Sequence, residues 1–133
     1  MDKDEIRQLE IDCGKAMGWR YYVVQSPGGP LRMFANPDIV KLPDYEHYED
    51  WNGDETIPIA VDAYRHLPRF TEDYRQPLEW LSDLYGPELG KDRDTWQVRI
   101  RQHSIYQDDI WFEGETVGIA ICRAVREIGK EQL

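Results

Sequence analysis

Between Asp44 and Glu55 the chain places Asp44, Glu46, Glu49, Asp50, Asp54 and Glu55 around His47, with Tyr45, Tyr48 and Trp51 interleaved. Two chemistries suit such a run. Carboxylates and an imidazole are ligands for a cation, but the alternating ligand spacing of a calcium-binding loop is missing, so no metal site is expected. Aromatic residues set among charges have the character of protein-interface anchors. Tyr45, Tyr48, Trp51, Glu46, Glu49 and Asp50 are therefore the candidate partner-binding residues. The plainer reading of the same run is a solvated acidic loop.

A second group of residues lies toward the C-terminus. Gln97, Arg99 and Arg101 alternate with Trp96, Val98 and Ile100, the period of a strand with one wet face. Two guanidinium forks on one face match a phosphate or carboxylate. Trp111 falls on the expected neighbouring strand, where an indole can stack on a base. Arg99, Arg101 and Trp111 form the alternative site, for a small anion such as a nucleotide. Against it stands a simple picture: arginines paired with the plentiful acids, and Tyr21, Tyr22, Trp96 and Trp111 serving as core.

Other catalytic patterns fail. The sequence has no GxGxxG, Walker A, HExxH, GxSxG or EF-hand pattern. His47, His66 and His103 fall in three different expected elements, and pairs of carboxylates carry no specificity among 26 acids. The expectation is a non-enzymatic protein without cofactor, a metal-dependent enzyme being the remaining alternative. Sixteen Lys and Arg against 26 Asp and Glu give a formal charge of −10. Such a surface repels phosphate and argues against nucleic-acid binding, while it steers cationic partners inward. Cys13 and Cys122 stand apart with no CxxC, and read as small apolar residues of a reduced core. The acidic start Met1–Glu5 and the lack of a long apolar run point to a cytoplasmic protein with no membrane partner. Homo-oligomerisation stays open.

The elements that would position these residues are legible in part. Ile6, Leu9, Cys13 and Met17 share one stripe of a helix over 3–17, with Asp2 and Glu5 as a capping pair and Gly18 as its stop. Strands are expected at 21–25 and 31–34, joined by a Pro/Gly turn at a sheet edge. Residues 35–68, punctuated by Pro37, Pro43, Pro58 and Pro68, are irregular, with a short helix over 59–66. Stretches of that length are usually functional loops or disorder. A helix is expected from about Thr71 to Gly86 with an irregular first turn around Pro77, then strands at 95–103 and 109–113. Thr116 caps a final helix over 117–128, whose apolar face is Val117, Ala120, Ile121, Ala124, Val125 and Ile128. The sum is one α+β domain over 1–133, a layered α/β/α sandwich with about three helices and one antiparallel sheet of about four strands.

Three segments carry a family resemblance. Lys15-Ala16-Met17-Gly18-Trp19-Arg20, Leu67-Pro68-Arg69-Phe70-Thr71-Glu72-Asp73 and Gly118-Ile119-Ala120-Ile121-Cys122-Arg123-Ala124 resemble, in order, three motifs of the phage ABA sandwich domain family. Gly118 stands where the family has proline, Pro77 interrupts a helix usually rich in Ala, and 35–66 is longer and more acidic than in the family. The resemblance implies a small α/β/α domain encoded by a phage or prophage and acting in the host cytoplasm. It implies no activity and no catalytic residues. On this reading the protein binds a host protein, as an inhibitor or anti-defence factor, through segment 44–55. The alternative is a sponge for a nucleotide signal of host defence.

Overall fold

Asp2 starts the first helix, α1 (Lys3–Ala16), as expected: its backbone is extended and its carboxylate accepts from the Glu5 amide at 2.8 Å. Asp4 and Glu5 sit in the first turn and Lys15 in the last, each complementing the helix dipole. The Met17 amide returns to the Cys13 and Gly14 carbonyls. Gly18 then turns the chain at φ 103°, a conformation that favours glycine. The computed structural model describes residues 1–26, 28–35, 48–50, 67–84, 86–100 and 109–131. Its contacts define two compact units, Met1–Met17 with Pro68–Leu133, and Gly18–Leu67. The second unit is thus inserted in sequence after α1.

In the inserted unit, β1 (Arg20–Ser26), β2 (Gly29–Ala35) and β3 (Tyr48–Asp50) form an antiparallel sheet in the order β2-β1-β3. Ser26 pairs with Gly29 and Gln25 with Pro30, so the Pro/Gly turn closes tightly. Pro30 is confined to the outer strand, where its missing N–H costs no ladder bond. The expected edge position therefore applies to β2 alone. β1 is central, because β3 pairs along its other side through Tyr22 with Asp50, Val23 with Glu49 and Val24 with Tyr48. The expected helix over 59–66 lies outside the described residues.

In the larger unit, α2 spans Arg75–Leu84, β4 Glu88–Asp92, β5 Thr95–Ile100, β6 Ile110–Gly114 and α3 Val117–Glu131. The expected start of α2 at Thr71 is corrected. The Glu72 and Asp73 amides close a turn on the Arg69 carbonyl, and the helix begins at Arg75. Pro77 then falls in the first turn, where its absent N–H would have no helical partner in any case. For α3 the Thr116 hydroxyl accepts from the Ile119 amide at 3.2 Å, the expected cap.

α3 lies across β5 and β6 and also packs against α1 and α2. The buried core includes Leu9, Ile11, Phe70, Leu81, Val98, Ile100, Ile121, Val125 and Ile128. Three glycines set the spacing. A methyl group on Gly129 would lie 2.5 Å from Cβ of Ala16, and one on Gly114 2.5 Å from the Ala120 nitrogen. One on Gly118 would lie 1.8 Å from the Thr71 carbonyl oxygen. Cys13 and Cys122 are both free and buried, and their thiols interact across the α1–α3 contact. Burial first, and then that neighbour, pushes the Cys13 thiol well above its ordinary pKa.

Among the described residues the class is α+β with three helices, as expected. The strands differ there: two antiparallel sheets of three stand in place of one sheet of about four. β3 has only three residues, inside an acidic run, and every residue of β4 is exposed. Neither shows the apolar alternation by which strands are read. No helix among the described residues is long and apolar enough to cross a membrane.

Candidate interaction surfaces

Register decides what shares a face of the β4-β5-β6 sheet. Glu88 and Trp111 both pair with Arg99, Gly90 and Glu113 with Gln97, and Asp92 with Thr95. Those residues form one face, because paired side chains across an antiparallel ladder point the same way. The other face carries Val98 and Ile100, both buried, toward α3. The sheet is thus greasy beneath and polar above, the pattern read from residues 95–100.

On the polar face the Arg99 guanidinium is already engaged. Its Nε donates to Asp109 Oδ2 at 2.7 Å and its Nη2 meets the same oxygen. Its Nη1 reaches Glu88 Oε2 at 3.4 Å. The bond to Asp109 raises the arginine's pKa further, so it stays charged throughout the accessible pH range. The guanidinium also sits 5.4 Å from the centre of the Trp111 ring, a cation–π distance. Gln97 donates to Glu113 at 3.5 Å beside it. The anion grip expected of Arg99, Arg101 and Trp111 therefore has its first arginine held by two carboxylates. Arg101 lies outside the described residues.

Trp111 is 54% exposed, the most exposed large apolar residue among those described. An indole side chain offers roughly 200 Å². Covering the exposed half would release about 2–3 kcal/mol at 25 cal/mol per Å². The expectation that Trp111 serves as core is corrected: it lies on the wet side of the pleat, opposite Arg99 rather than beside Val98.

The acidic aromatic segment is described only at its centre. Tyr48, Glu49 and Asp50 form β3, one of the two outer strands of the inserted sheet among the described residues. Tyr45, Glu46 and Trp51 lie outside the described residues, as do His47, His66 and His103. Among the described residues no group of three or more His, Cys, Asp or Glu is placed to hold a metal ion. An open recess of about 390 Å³ is lined by Pro68, Phe70, Asp73, Arg75, Gln76 and Glu79, residues of mixed charge with no shared target.

One charged group escaped the sequence reading. Glu10 has no exposure at all. Its Oε1 accepts from Arg7 Nη1 at 3.2 Å and Arg69 Nη1 at 3.4 Å. Its Oε2 accepts from the Thr71 amide at 3.2 Å and the Thr71 hydroxyl at 3.1 Å. A buried carboxylate is tolerated only when paired and bonded in this way. The signal was present, since Glu10 stands three residues before Cys13 and four after Ile6, on the apolar stripe itself. The cluster ties α1 to the turn before α2 through a carboxylate with no exposed surface, the arrangement of a group that holds the fold. No protein family, no curated protein and no solved structure matches this chain.

Proposed function

We propose that this protein works without catalysis, by binding a basic surface of a protein partner through the acidic aromatic segment 44–55. The observation that carries the reading is the placement of Tyr48–Asp50. The middle of that segment is a strand paired to β1 in defined register, at the outside of its sheet. Backbone fixed in this way loses less entropy on binding than a free loop would. An outer strand is also a surface to which an extended partner can add. The charge of −10 supports a cationic partner and fast, salt-sensitive association.

The three motif resemblances support a phage or prophage origin. The partner would then be a host protein, and the protein an inhibitor or anti-defence factor in the host cytoplasm. The nucleotide-sponge alternative loses support from the engagement of Arg99 by Asp109 and Glu88.

The test is capture of a partner from a lysate of the host or source cell, identified by mass spectrometry. It is repeated with a variant carrying Tyr48→Ala, Trp51→Ala, Glu49→Ser and Asp50→Ser. The expected result is a salt-sensitive partner held by the native protein and lost by the variant. Equal capture by both would remove segment 44–55 from the account.

A further inference from the structure

We propose that the polar face of the β4-β5-β6 sheet is a second docking surface, shaped for an arginine- or lysine-bearing segment of a protein partner. The inference rests on the protein-binding reading above, and adds to it a second place and a partner chemistry. Its centre is Trp111, more than half exposed on a face where the neighbouring side chains are polar or charged. A large indole left in water at such a position is what interface anchors look like before they are covered.

Charge selects the occupant. Glu88, Asp92 and Glu113 share the face by register, and Asp109 reaches it through its bonds to Arg99. Arg99 is the single cation among the described residues of this face, and Asp109 and Glu88 already answer its charge. The excess is negative, so the face repels an anion and attracts a cation. Arg99 also shows the geometry available to a guanidinium here, over the indole at 5.4 Å while bonded to carboxylates at its edge. A partner arginine approaching the uncovered part of the same ring finds the same two kinds of contact, a π-face and a carboxylate. The edge strand β4, exposed along its whole length, leaves the approach to Glu88 and Asp92 open.

The probe is an aromatic-free peptide of roughly ten residues rich in Arg and Lys, titrated at about 150 mM salt, where contacts beyond a Debye length are screened. The full-length ¹⁵N-labelled chain is followed by NMR. The expected result is movement of the Trp111 indole resonance and of the β4–β6 amides. Trp111→Ala, which leaves net charge unchanged and alters an exposed side chain, is expected to weaken the peptide about tenfold. Trp111→Phe is expected to retain most of the affinity, and both variants should melt with the native protein. Shifts confined to segment 44–55, or an affinity unchanged in Trp111→Ala, would overturn this second surface and leave the first reading standing. No binding anywhere would count against both. Inorganic phosphate is the control: if it shifts the Arg99 side chain in place of the peptide, the face takes anions and the proposal fails.

Discussion

Around Glu10 two arginines and Thr71 enclose a carboxylate that water never reaches; around Arg99 two carboxylates hold a guanidinium that is about one-third exposed. The ingredients are nearly the same and the consequences are opposite. In the first cluster every bond replaces hydration that the carboxylate has given up, so removing a partner strands a charge in a poor dielectric. In the second, water stands ready to replace whatever is removed, so the pairing adds little to stability and stays available for exchange with a partner. Burial, rather than composition, separates a charged group that holds a fold from one that can recognise something.

The harshest way to break this contrast is Glu10→Ala. It removes the carboxylate that accepts from Arg7, Arg69 and Thr71, and should cost about 3–5 kcal/mol in urea unfolding, the usual penalty for breaking a buried pair. A loss under about 1 kcal/mol would mean the cluster is not holding α1 in place. Gly118→Ala tests the same junction by volume. Its methyl group would fall on the Thr71 carbonyl, a clash with backbone that should cost about 1–3 kcal/mol or more. If the variant is as stable as the native chain, the turn before α2 does not approach α3 as closely as described.

A smaller, pH-dependent effect separates buried from exposed in another way. Burial and the Cys122 thiol push the Cys13 thiol up. The unfolded chain ionises this thiol near pH 8.5, the folded chain only well above. The stability linked to it is therefore complete below about pH 8.5 and is lost as pH rises toward the folded value. Melting temperature followed from pH 7 to pH 11 should fall more steeply in the native protein than in Cys13→Ala. Parallel curves would place Cys13 in contact with water. The smallest effect is expected at the exposed cluster, where Arg99→Ala should leave the urea midpoint nearly unchanged. A larger loss would make that cluster structural after all.

Much of the helical architecture is legible from the residues. α1 and α3 announce themselves through Asp2, Thr116 and the apolar spacings between Leu9 and Cys13 and between Ala120 and Ile128. Helical caps and stripes are local, so a single segment carries them. β3 and β4 are not legible, because their strands bury nothing that alternates and owe their form to a neighbour distant in sequence. For the same reason the residues alone leave the Arg99 group open between an anion site and pairing with acids. Its residue types suggest an anion site, but the carboxylates that engage it arrive from β4 and from the residue before β6. Glu10 could have been found by asking why an acid stands on the apolar stripe of α1.

The most direct test of the central claim is the affinity of the captured partner for the native protein and for the 48–51 variant, measured at equal folded fraction. The account predicts that binding is lost while the urea midpoint stays close to that of the native protein. Full affinity in that variant, or a loss of affinity that only follows a loss of fold, would contradict it.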